Sequence, residues 1–499
     1  MSNNIAKPSK RYIELEEKRD LSRTLMGGTE AMQEANKRYM PKHPAEEEEN
    51  YKVRLMSTTL YGAYRNTITK MAGKVFSKPV IINSDVPPQI EETLDNIDGQ
   101  GRNITSFLFD VMIKGLESGI SFIFVDYTAI KPPEDEDQIL TALDVKNMGA
   151  RSTAILYDAE QVIDWQSQNI GGVQTLTCVR IKEYATEPDP QNEWSEKEVD
   201  QIRVLRPGSY ELWRKSERAG AMPLGAQDDW YLYDEGITAL NYIPLVPYYT
   251  NREGFFEGLP PLQSLAELCK QHWNSSSEQI QALTFARFAM MVFAGISPDE
   301  KIGKVGPNQI IKLTDPQAKW GLIETAGKGI EQGRIDIEDI ERRMLSAGMT
   351  ARVESKAGVT ATASAIDSTD ADSIIMAWAT SLEDVANQML WFMADYEGLS
   401  DGGTVEINKS FATSKPEGSA ADLLAMCTAG KLSDETFLNE MQRRDVIGDS
   451  IDVLEEIERI KKQLPKPDNT STNINIDQNS TEVDTGVIST KNKIDVNGA

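Results

Sequence analysis

The sequence predicts an α+β protein that is mainly helical, with a β-rich N-terminal part and a small β segment between two helices. Three patterns lead to this prediction. Apolar residues recur mostly at three- or four-residue spacing in two stretches, 259–290 and 328–347. Runs of β-type residues bounded by turn residues lie between those stretches and, more densely, between residues 120 and 249. A third helical pattern, over residues 370–397, continues without a break.

Length and composition limit the class of protein. The 499 residues leave room for about two to four domains, and 40% hydrophobic with 26% charged residues is typical of a globular protein. No run approaches the roughly 18–20 apolar residues of a membrane helix, and the first residues lack the apolar stretch of a signal peptide. Three widely spaced cysteines (Cys178, Cys269 and Cys427) argue against a disulfide framework and predict synthesis in a reducing cytosol.

The net charge of −26 argues against a protein that grips nucleic acid. Proteins bind phosphates tightly through patches of Lys and Arg, whereas here 78 acidic residues outnumber 52 basic ones. The segment from Pro465 onward explains little of this excess, since it holds three Lys against five acids. An acidic surface lets a polyanion such as DNA pass without adhering. Solubility alone explains the acidity equally well.

The first part of the chain is predicted to be helical. One helix spans residues 11–27, and a second spans 31–40, where Pro41 stops it. The acidic run 46–49 suits the positive end of a helix dipole, so it is expected to begin a single helix that continues to Met71. A further helix is expected over residues 103–118.

A series of strands follows. The apolar run 120–127, bounded by Gly119, predicts a buried strand. Pro207, Gly208 and Ser209 predict a hairpin turn. The other strand-like runs are 154–165, 173–184, 201–205, 210–213, 230–233 and 243–249.

Two helices joined by a β-rich excursion form the most informative pattern of the chain. The first helix begins at Leu259, with Pro260 and Pro261 in a first turn whose N–H groups lack partners anyway, and ends near Met290. The excursion carries β-type runs at 292–294, 309–313 and 320–323. The second helix spans residues 328–347 and is apolar on one face, at Ile330, Ile337, Ile340 and Met344.

The C-terminal third combines a loop, a long helix and a polar tail. Small residues dominate 354–373 and predict a loop, and the long helix follows over 370–397. Its apolar positions alternate by four and three, which predicts packing along a partner helix of the same chain or a neighbouring one. Three short helices are expected between 417 and 464, the middle one capped by Ser433. The remainder is predicted to be disordered.

No group of residues has the pattern of an active site, so we expect no enzymatic activity, no metal and no cofactor. His43 and His272 have no Cys or carboxylate nearby at metal-ligand spacing. The segment 327–329, Gly-Lys-Gly, lacks the Ser or Thr of a phosphate-binding loop. No Gly-x-Ser-x-Gly segment is present.

Acidic residues are abundant, so composition leaves open a two-carboxylate glycosidase or a two-metal nuclease. The acids at 336, 338, 339 and 341 interleave with Arg334, Arg342 and Arg343, which favours a solvated, ion-paired helix face. Asp367, Asp370 and Asp372 are expected to stand at the start of the long helix.

The order of these elements resembles the portal proteins of tailed bacteriophages and prophages. The resemblance covers about residues 10–460. It depends on short, non-catalytic segments in a fixed order: Pro260-Pro261-Leu262, IGKVGPNQII at 302–311, IETAGKGI at 323–330, ERRMLSAG at 341–348 and GKLSDET at 430–436. The resemblance implies a portal fold, which is a ring of subunits, usually twelve, at one vertex of the capsid.

The resemblance also implies a division of the chain. Residues 1–258 would form an α/β wing, 259–290 and 326–345 the two stem helices, and 291–325 a β clip. Residues 346–415 would form a tunnel loop and a long wing helix, 416–464 a crown of helices, and 465–499 a disordered tail. Double-stranded DNA would pass through the ring in both directions without sequence recognition.

The partners implied by the resemblance are virion and packaging proteins. The clip would dock the terminase and later the head-completion adaptor, and other contacts would go to the major capsid and scaffold proteins. The ATP chemistry belongs to the terminase, in agreement with the missing phosphate-binding loop. The protein would be made and assembled in the bacterial cytoplasm, would have no membrane partner and would end in the virion.

Two sets of site residues follow from the resemblance. The loop near the narrowest part of the channel would contribute Lys356, Thr360, Thr362, Ser364 and Ser368. Capping and packing of the following helix explains the Thr and Ser residues equally well. In the clip, Lys301 and Lys304 flank a turn and are candidates for terminase or adaptor contact, or are ordinary solubilising lysines.

Two other classes compete with the portal hypothesis. Another virion component, such as a head-completion or tail protein, is disfavoured by the uninterrupted helix–tip–helix unit, because such proteins are usually shorter or β-dominated. A hydrolase acting through carboxylates is disfavoured because no constellation of such residues stands out.

Overall fold

The structure is a computed structural model that describes residues 5–127, 151–188, 194–215, 230–287, 290–294, 319–323, 327–348, 361–409, 420–443, 446–447 and 453–463. The chain divides into two compact units, Met1–Ser414 and Lys415–Ala499. Every described strand lies in the first unit. The fold class is α+β, as predicted.

The first unit begins with a set of helices: α1 (Lys10–Met26), α2 (Gly28–Ala35), α3 (Glu48–Ser57), α4 (Ala63–Val75), α5 (Pro88–Leu94) and α6 (Ile104–Ser118). Side-chain caps define two of the starts. Ser9 Oγ accepts the Tyr12 N–H at 3.1 Å, and Asn103 Oδ1 accepts the Ser106 N–H at 2.9 Å. The helices predicted over 11–27 and 103–118 are confirmed.

The single helix predicted from the acidic run 46–49 to Met71 is wrong, because the chain forms α3 and α4 with a break between them. The hydroxyl groups of Ser57 and Thr58 donate to the carbonyl of Arg54, at 3.0 and 2.7 Å, and Thr58 is extended with ψ at 134°. Such side-chain hydrogen bonds compete with the helical ladder. Helix α4 then continues past Gly73, where the prediction ended it.

A three-stranded antiparallel sheet forms the centre of the unit, with β2 (Ile120–Tyr127) between β3 (Ser152–Asp158) and β9 (Leu245–Tyr249). The predicted burial of β2 is confirmed from Ile120 to Val125. Gly119 joins α6 to β2 with φ at +85°, and a Cβ there would lie 2.1 Å from the carbonyl oxygen of Leu259. The joint therefore requires glycine, for conformation and for space.

A five-stranded antiparallel sheet contains β4 (Val162–Ile170), β5 (Val173–Pro188), β6 (Glu196–Arg206), β7 (Ser209–Lys215) and β8 (Trp230–Ile237) in chain order. The predicted hairpin is confirmed, since Arg206 pairs with Ser209. The run 154–165 contains parts of two strands in different sheets, β3 and β4. The turn between them has a hydrogen bond of 3.0 Å from the Gln161 N–H to the Asp158 carbonyl.

Short ladders and two further helices complete this part. Strand β1 (Ile81–Ile82) pairs with β14 (Val405–Glu406), and β10 (Arg252–Gly254) pairs with β11 (Glu257–Gly258). After β11 the chain forms α7 (Gln263–Arg287), β12 (Met290–Ala294), β13 (Lys319–Ile323) and α8 (Gly327–Ala347). The predicted order of helix, β excursion and second helix is confirmed within the described residues; the run 309–313 lies outside them. The first helix is shorter than predicted, because it begins at Gln263, after Pro260 and Pro261, and ends at Arg287.

The longest described helix, α9 (Ala361–Tyr396), packs against β2, β3, β9 and helices α4 to α6. Its predicted seam is buried at Ile375, Trp378, Leu382, Val385, Met389 and Phe392. The seam packs on helices of the same chain, as predicted, but also on a sheet, which the prediction did not include. Ala379, Ala386, Leu390 and Met393 are buried too, so the apolar face is wider than a coiled-coil seam.

Helix α9 begins at Ala361, earlier than the predicted start at Asp370. Alanines at 361, 363 and 365 favour helix, and they turn the second half of the predicted loop into helix. Asp372 therefore lies inside the helix instead of starting it. Its carboxylate is buried and accepts a hydrogen bond from Lys74 Nζ at 3.0 Å.

The second unit contains α10 (Ala420–Thr428), α11 (Asp434–Arg443) and α12 (Val453–Gln463). Three short helices were predicted here. Ser433 Oγ accepts the Thr436 N–H at 3.2 Å, which confirms the predicted cap of the middle helix. The tail predicted from residue 465 lies outside the described residues.

Candidate functional site: the stem hairpin and its tip

Helices α7 and α8 run antiparallel and form a hairpin, which we call the stem hairpin. Their contacts follow an antiparallel order: Gln279 lies opposite Ile330, Ser275 opposite Asp336, and His272 opposite Glu341. Between the helices, β12 and β13 pair antiparallel from Met290↔Ile323 to Ala294↔Lys319. These two strands are the described part of the tip.

We call the half of the hairpin that contains the start of α7 and the end of α8 the root. The root is buried in the main core. On α7 the buried apolar side chains are Leu265, Ala266, Cys269 and Trp273, and on α8 they are Ile340 and Met344. They belong to the same core cluster as residues of α1, α3 and α4, the helices that contact α7. At the root, therefore, the chain itself completes the core of the hairpin.

Arg54 on α3 forms a buried ion pair and also a hydrogen bond to the root. Arg54 Nε and Nη2 donate to the two carboxylate oxygens of Glu46, each at 2.8 Å. Arg54 Nη1 reaches Ser277 Oγ on α7 at 3.1 Å. All three side chains are buried. Since a lone buried charge is costly, Arg54 holds α3, the 41–46 segment and α7 in one arrangement.

This ion pair leads to a prediction about pH. The hydrogen bonds from Arg54 lower the pKa of Glu46 from 4.5 to about 2. Because the folded pKa lies below the unfolded one, the stabilisation is complete above pH 4.5 and is lost as the pH falls towards 2. We expect Glu46→Gln to lower the free energy of unfolding by about 2 kcal/mol at pH 7. Denaturant unfolding across this pH range measures the difference.

The matched control is Glu48→Gln, which neutralises an exposed carboxylate near the same helix start and is expected to change the stability little. For Glu46→Gln, the difference from wild type should shrink from pH 4.5 to pH 2. A difference that stays constant over that range would contradict the role assigned to the pair.

Polar side chains bridge the two stem helices. Gln279 Nε2 donates to the Ile330 carbonyl at 2.9 Å, and Gly333 leaves room for it, since a Cβ there would lie 2.2 Å from Gln279 Oε1. His272 is buried; its ring centroid lies 5.1 Å from that of Tyr61, with the two rings tilted by 31°, and its Nε2 lies 3.3 Å from a carboxylate oxygen of Glu341. Sequence spacing could not reveal this pair, because the antiparallel return of α8 brings the partners together.

The outer half of the stem hairpin differs from the root. No described side chain is fully buried after Ser277 on α7 or before Ile340 on α8. Ile330 and Ile337, which belong to the predicted apolar face, are only half-buried. The apolar stripe of α8 therefore begins in the buried root and continues into the outer half. There, other described residues cover it only partly.

The opposite face of α8 is charged, as predicted. Arg334 pairs with Glu331 at 2.5 Å and with Glu338, and Arg342 pairs with Asp339. These side chains are about half exposed, so the pairs contribute little to stability. They keep this face in water and leave the apolar stripe as the face for packing.

The predicted site residues stay predictions. Lys301 and Lys304, which fall between β12 and β13 in the sequence, and Lys356 and Thr360, which precede α9, lie outside the described residues. Three more are on the first turns of α9: Thr362, Ser364 and Ser368. That part is helical instead of the loop we expected, and its side chains are not among those described.

A second polar cluster, partly buried, lies between the two larger sheets. Arg203 on β6 pairs with Asp126 at 3.2 Å and with Glu183 at 2.8 Å, and Tyr157 donates its hydroxyl to Glu183. Burial raises the pKa of Asp126 and of Tyr157. The adjoining cavity measures about 20 Å³, which is room for one water molecule. The cluster joins the sheets and cannot hold a substrate.

Metal-binding and membrane features are absent from the part of the chain that the structure describes. There, no three His, Cys, Asp or Glu side chains converge as a metal site would need. Nor does any helix in the same ranges combine the length and apolarity of a membrane span. The described geometry thus defines an α+β protein whose distinctive feature is a rooted helical hairpin with a β tip.

Comparison with known proteins gives one family match. Residues 261–397 match a family described as a domain of unknown function, DUF4055. The matched segment begins just before α7 and ends just after α9, so it contains the stem hairpin, the tip and the long helix. No curated protein matches the chain.

Several solved structures are similar to the chain at low identity. One is a chain from the neck of a native gene transfer agent particle computed with C12 symmetry, with 12% identity, a TM-score of 0.36, and coverage of 79% of this chain and 92% of that chain. Another is from the neck of an empty particle computed with C6 symmetry, at 10% identity, a TM-score of 0.36, and coverage of 77% and 90%. A third, from the virion of the native particle, has 11% identity, a TM-score of 0.34, and coverage of 81% and 90%. TM-scores this low do not define the fold.

Proposed function

We propose that the protein is a portal subunit. Copies of the chain form a closed ring, with twelve subunits, at one vertex of a bacteriophage capsid. Double-stranded DNA enters and leaves the capsid through the ring. The protein is not an enzyme; it is a structural component of the virion, assembled in the bacterial cytoplasm.

The observation that carries this proposal is the contrast between the two halves of the stem hairpin. The root is completed by its own chain, whereas the outer half presents an apolar stripe with Ile330 and Ile337 half-buried. Copies arranged head to tail bury such a stripe all around a ring, because each hairpin then has a neighbour on both sides. The charged face of α8 stays in water in this arrangement.

The charge of the chain supports a channel for DNA. A net charge of −26 per subunit gives twelve subunits a strongly acidic wall, to which the phosphate backbone does not adhere. A sequence-specific DNA-binding protein would need the opposite sign on its binding surface. Passage without recognition therefore fits the composition better than binding does.

The tip is the proposed docking site for partner proteins. It stands at the end of a hairpin that is anchored in the core only at its root, so it projects from the rest of the unit. In a ring, all tips lie at one end of the channel. We assign this end to the terminase during packaging and to the head-completion adaptor afterwards, with Lys301 and Lys304 as candidate contacts. The remainder of the first unit contacts capsid and scaffold proteins.

Negative-stain images of the purified full-length protein test the proposal. We expect rings with a central hole, and class averages with twelvefold symmetry. Compact single particles without a hole, at micromolar concentration and physiological salt, would overturn the proposed function.

A further inference from the structure

The hairpin of β4 and β5 projects beyond the five-stranded sheet. Strand β5 pairs with β6 only from Val179 onward, so residues 173–178 have β4 as their one neighbour among the described strands. We call residues 166–178 the arm. Six residues of strand extend the arm by about 20 Å. Its turn, Gly171-Gly172, has φ at +62° and +90°, as a tight two-residue hairpin turn requires.

The arm carries no charge. Residues 165–179 contain no Asp, Glu, Lys or Arg, in a chain in which 26% of residues are charged. The chain has one other run of this length, 236–251, but that run contains β9, which contributes Leu245, Val246 and Tyr248 to the core. The turn end of the arm is instead exposed: Ile170 and Val173 beside the turn are 57% and 66% accessible, and only Leu176 near the base of the arm is buried.

The other ribbon of the same sheet provides an internal comparison. At the opposite end, residues 184–188 of β5 pair with 196–200 of β6 and also project. Half of these residues are charged: Glu187, Glu196, Lys197, Glu198 and Asp200. Charge is the usual protection of a projecting ribbon against other chains. The arm lacks this charge, whereas the other ribbon has it. The difference indicates that another protein surface covers the arm in the assembled state.

The outer edge of β4 is open to a further strand. In a two-residue hairpin the pair next to the turn, Ile170↔Val173, exchanges both hydrogen bonds, so the N–H and C=O groups of Ser167 and Asn169 point away from β5. No described residue bonds these groups. Before the arm, the Ser9 N–H donates to the Ile163 carbonyl at 3.0 Å, so the described N-terminal segment contacts β4 there. The opposite edge, β8, carries Asp234 and Glu235.

Charge also identifies the partner. A partner with a basic surface would be recognised by acidic side chains, which this chain carries in excess elsewhere. An exposed ribbon without acidic side chains favours binding to a surface that is itself acidic, because like charges across an interface weaken binding. A second copy of this chain, with its net charge of −26, is such a surface.

We infer that the arm docks on a second copy of this chain, adding its β4 edge to that copy through main-chain hydrogen bonds. The inference depends on the proposed function, since a ring brings each arm next to a neighbouring subunit. It adds a contact between subunits that is separate from the stem hairpin. The uncharged side chains let this contact form between two acidic molecules.

A pair of opposite charge variants tests the inference. Gln166 and Gln168 are exposed on β4. We expect Gln166→Glu with Gln168→Glu to raise the concentration at half-assembly at least about tenfold at low salt, because carboxylates then face an acidic neighbour. High salt should remove most of this shift. The variant with Lys at both positions should assemble as well as wild type or better. The control Thr186→Glu, on the charged ribbon, should assemble like wild type.

Hydrogen exchange supplies the second measurement. The amides of Ser167 and Asn169 should exchange slowly in the assembled protein and fast in the dissociated chain. Rings that form equally in the Glu and Lys variants, with fast-exchanging arm amides, would overturn the arm contact and leave the proposed function standing. Dimers without a ring that respond to the charge series would support the arm and overturn the ring. A chain that stays monomeric would overturn both.

Discussion

Ile337→Asp should abolish ring assembly while leaving the chain folded. Ile337 lies in the outer half of the stem hairpin, where the single chain covers it only partly. A carboxylate can therefore stay hydrated in the isolated chain. In the ring the same carboxylate would be enclosed by the neighbouring hairpin, and burying an unpaired charge costs several kcal/mol. Since every subunit contact carries this cost, the closed ring should disappear from sedimentation profiles and images.

The control for this prediction is Gln332→Asp, which adds the same charge to an exposed position of the same helix. It should assemble like wild type. Thermal unfolding separates loss of assembly from loss of folding, because Ile337→Asp should retain a cooperative transition. Normal rings in this variant would show that the stripe is not an interface between subunits.

Trp273→Ala should produce the largest loss of stability among single substitutions in the stem. Trp273 is fully buried at the root, in the core cluster that also contains residues of α1, α3 and α4. Removing such a side chain leaves a large cavity, and changes of this kind cost about 3–5 kcal/mol. Its indole N–H has no hydrogen-bond partner among the described residues, so the loss is one of packing alone. Denaturant unfolding of the full chain measures it.

Two variants make this result specific. Trp391→Ala removes the same side chain from a position that is 46% exposed, so it should cost much less than Trp273→Ala. Trp273→Phe keeps most of the buried volume and removes the unpaired donor, and it should recover most of the lost stability. Equal losses for both alanine variants would contradict the assignment of the root to the core.

The elements with a strong local pattern were predictable from the sequence. The apolar positions of the stem helices at the root, the apolar run of β2 and the seam of α9 are all buried, as their patterns predict. Caps at Ser9, Asn103 and Ser433 need only residues within three positions. Local chemistry specified these features, and the structure agrees with it.

The failures share a different cause. The break between α3 and α4 depends on the hydroxyl groups of Ser57 and Thr58, which compete with backbone N–H groups for the Arg54 carbonyl. The spacing of apolar residues carries no information about this competition. The division of the run 154–165 between two sheets depends on strand order. The seam of α9 is the same whether it packs on a helix or on a sheet. In each case tertiary contacts decided between structures that the sequence pattern allowed.

The candidate site was predictable only in outline. The apolar stripe and charged face of α8 follow from the order of its residues, whereas Arg54–Ser277 and His272–Glu341 join residues far apart in the chain. The unburied outer half of the hairpin was visible only once the root had been placed in the core. The arm is the reverse case: its lack of charge is plain in the sequence, but its exposure is not.

The mass of the assembled full-length protein tests the central claim most directly. Measured by native mass spectrometry at physiological pH, a closed ring of twelve chains of 55.5 kDa should give about 670 kDa as the dominant species. A single species at 55.5 kDa that persists as the concentration is raised would contradict the ring, and the channel with it.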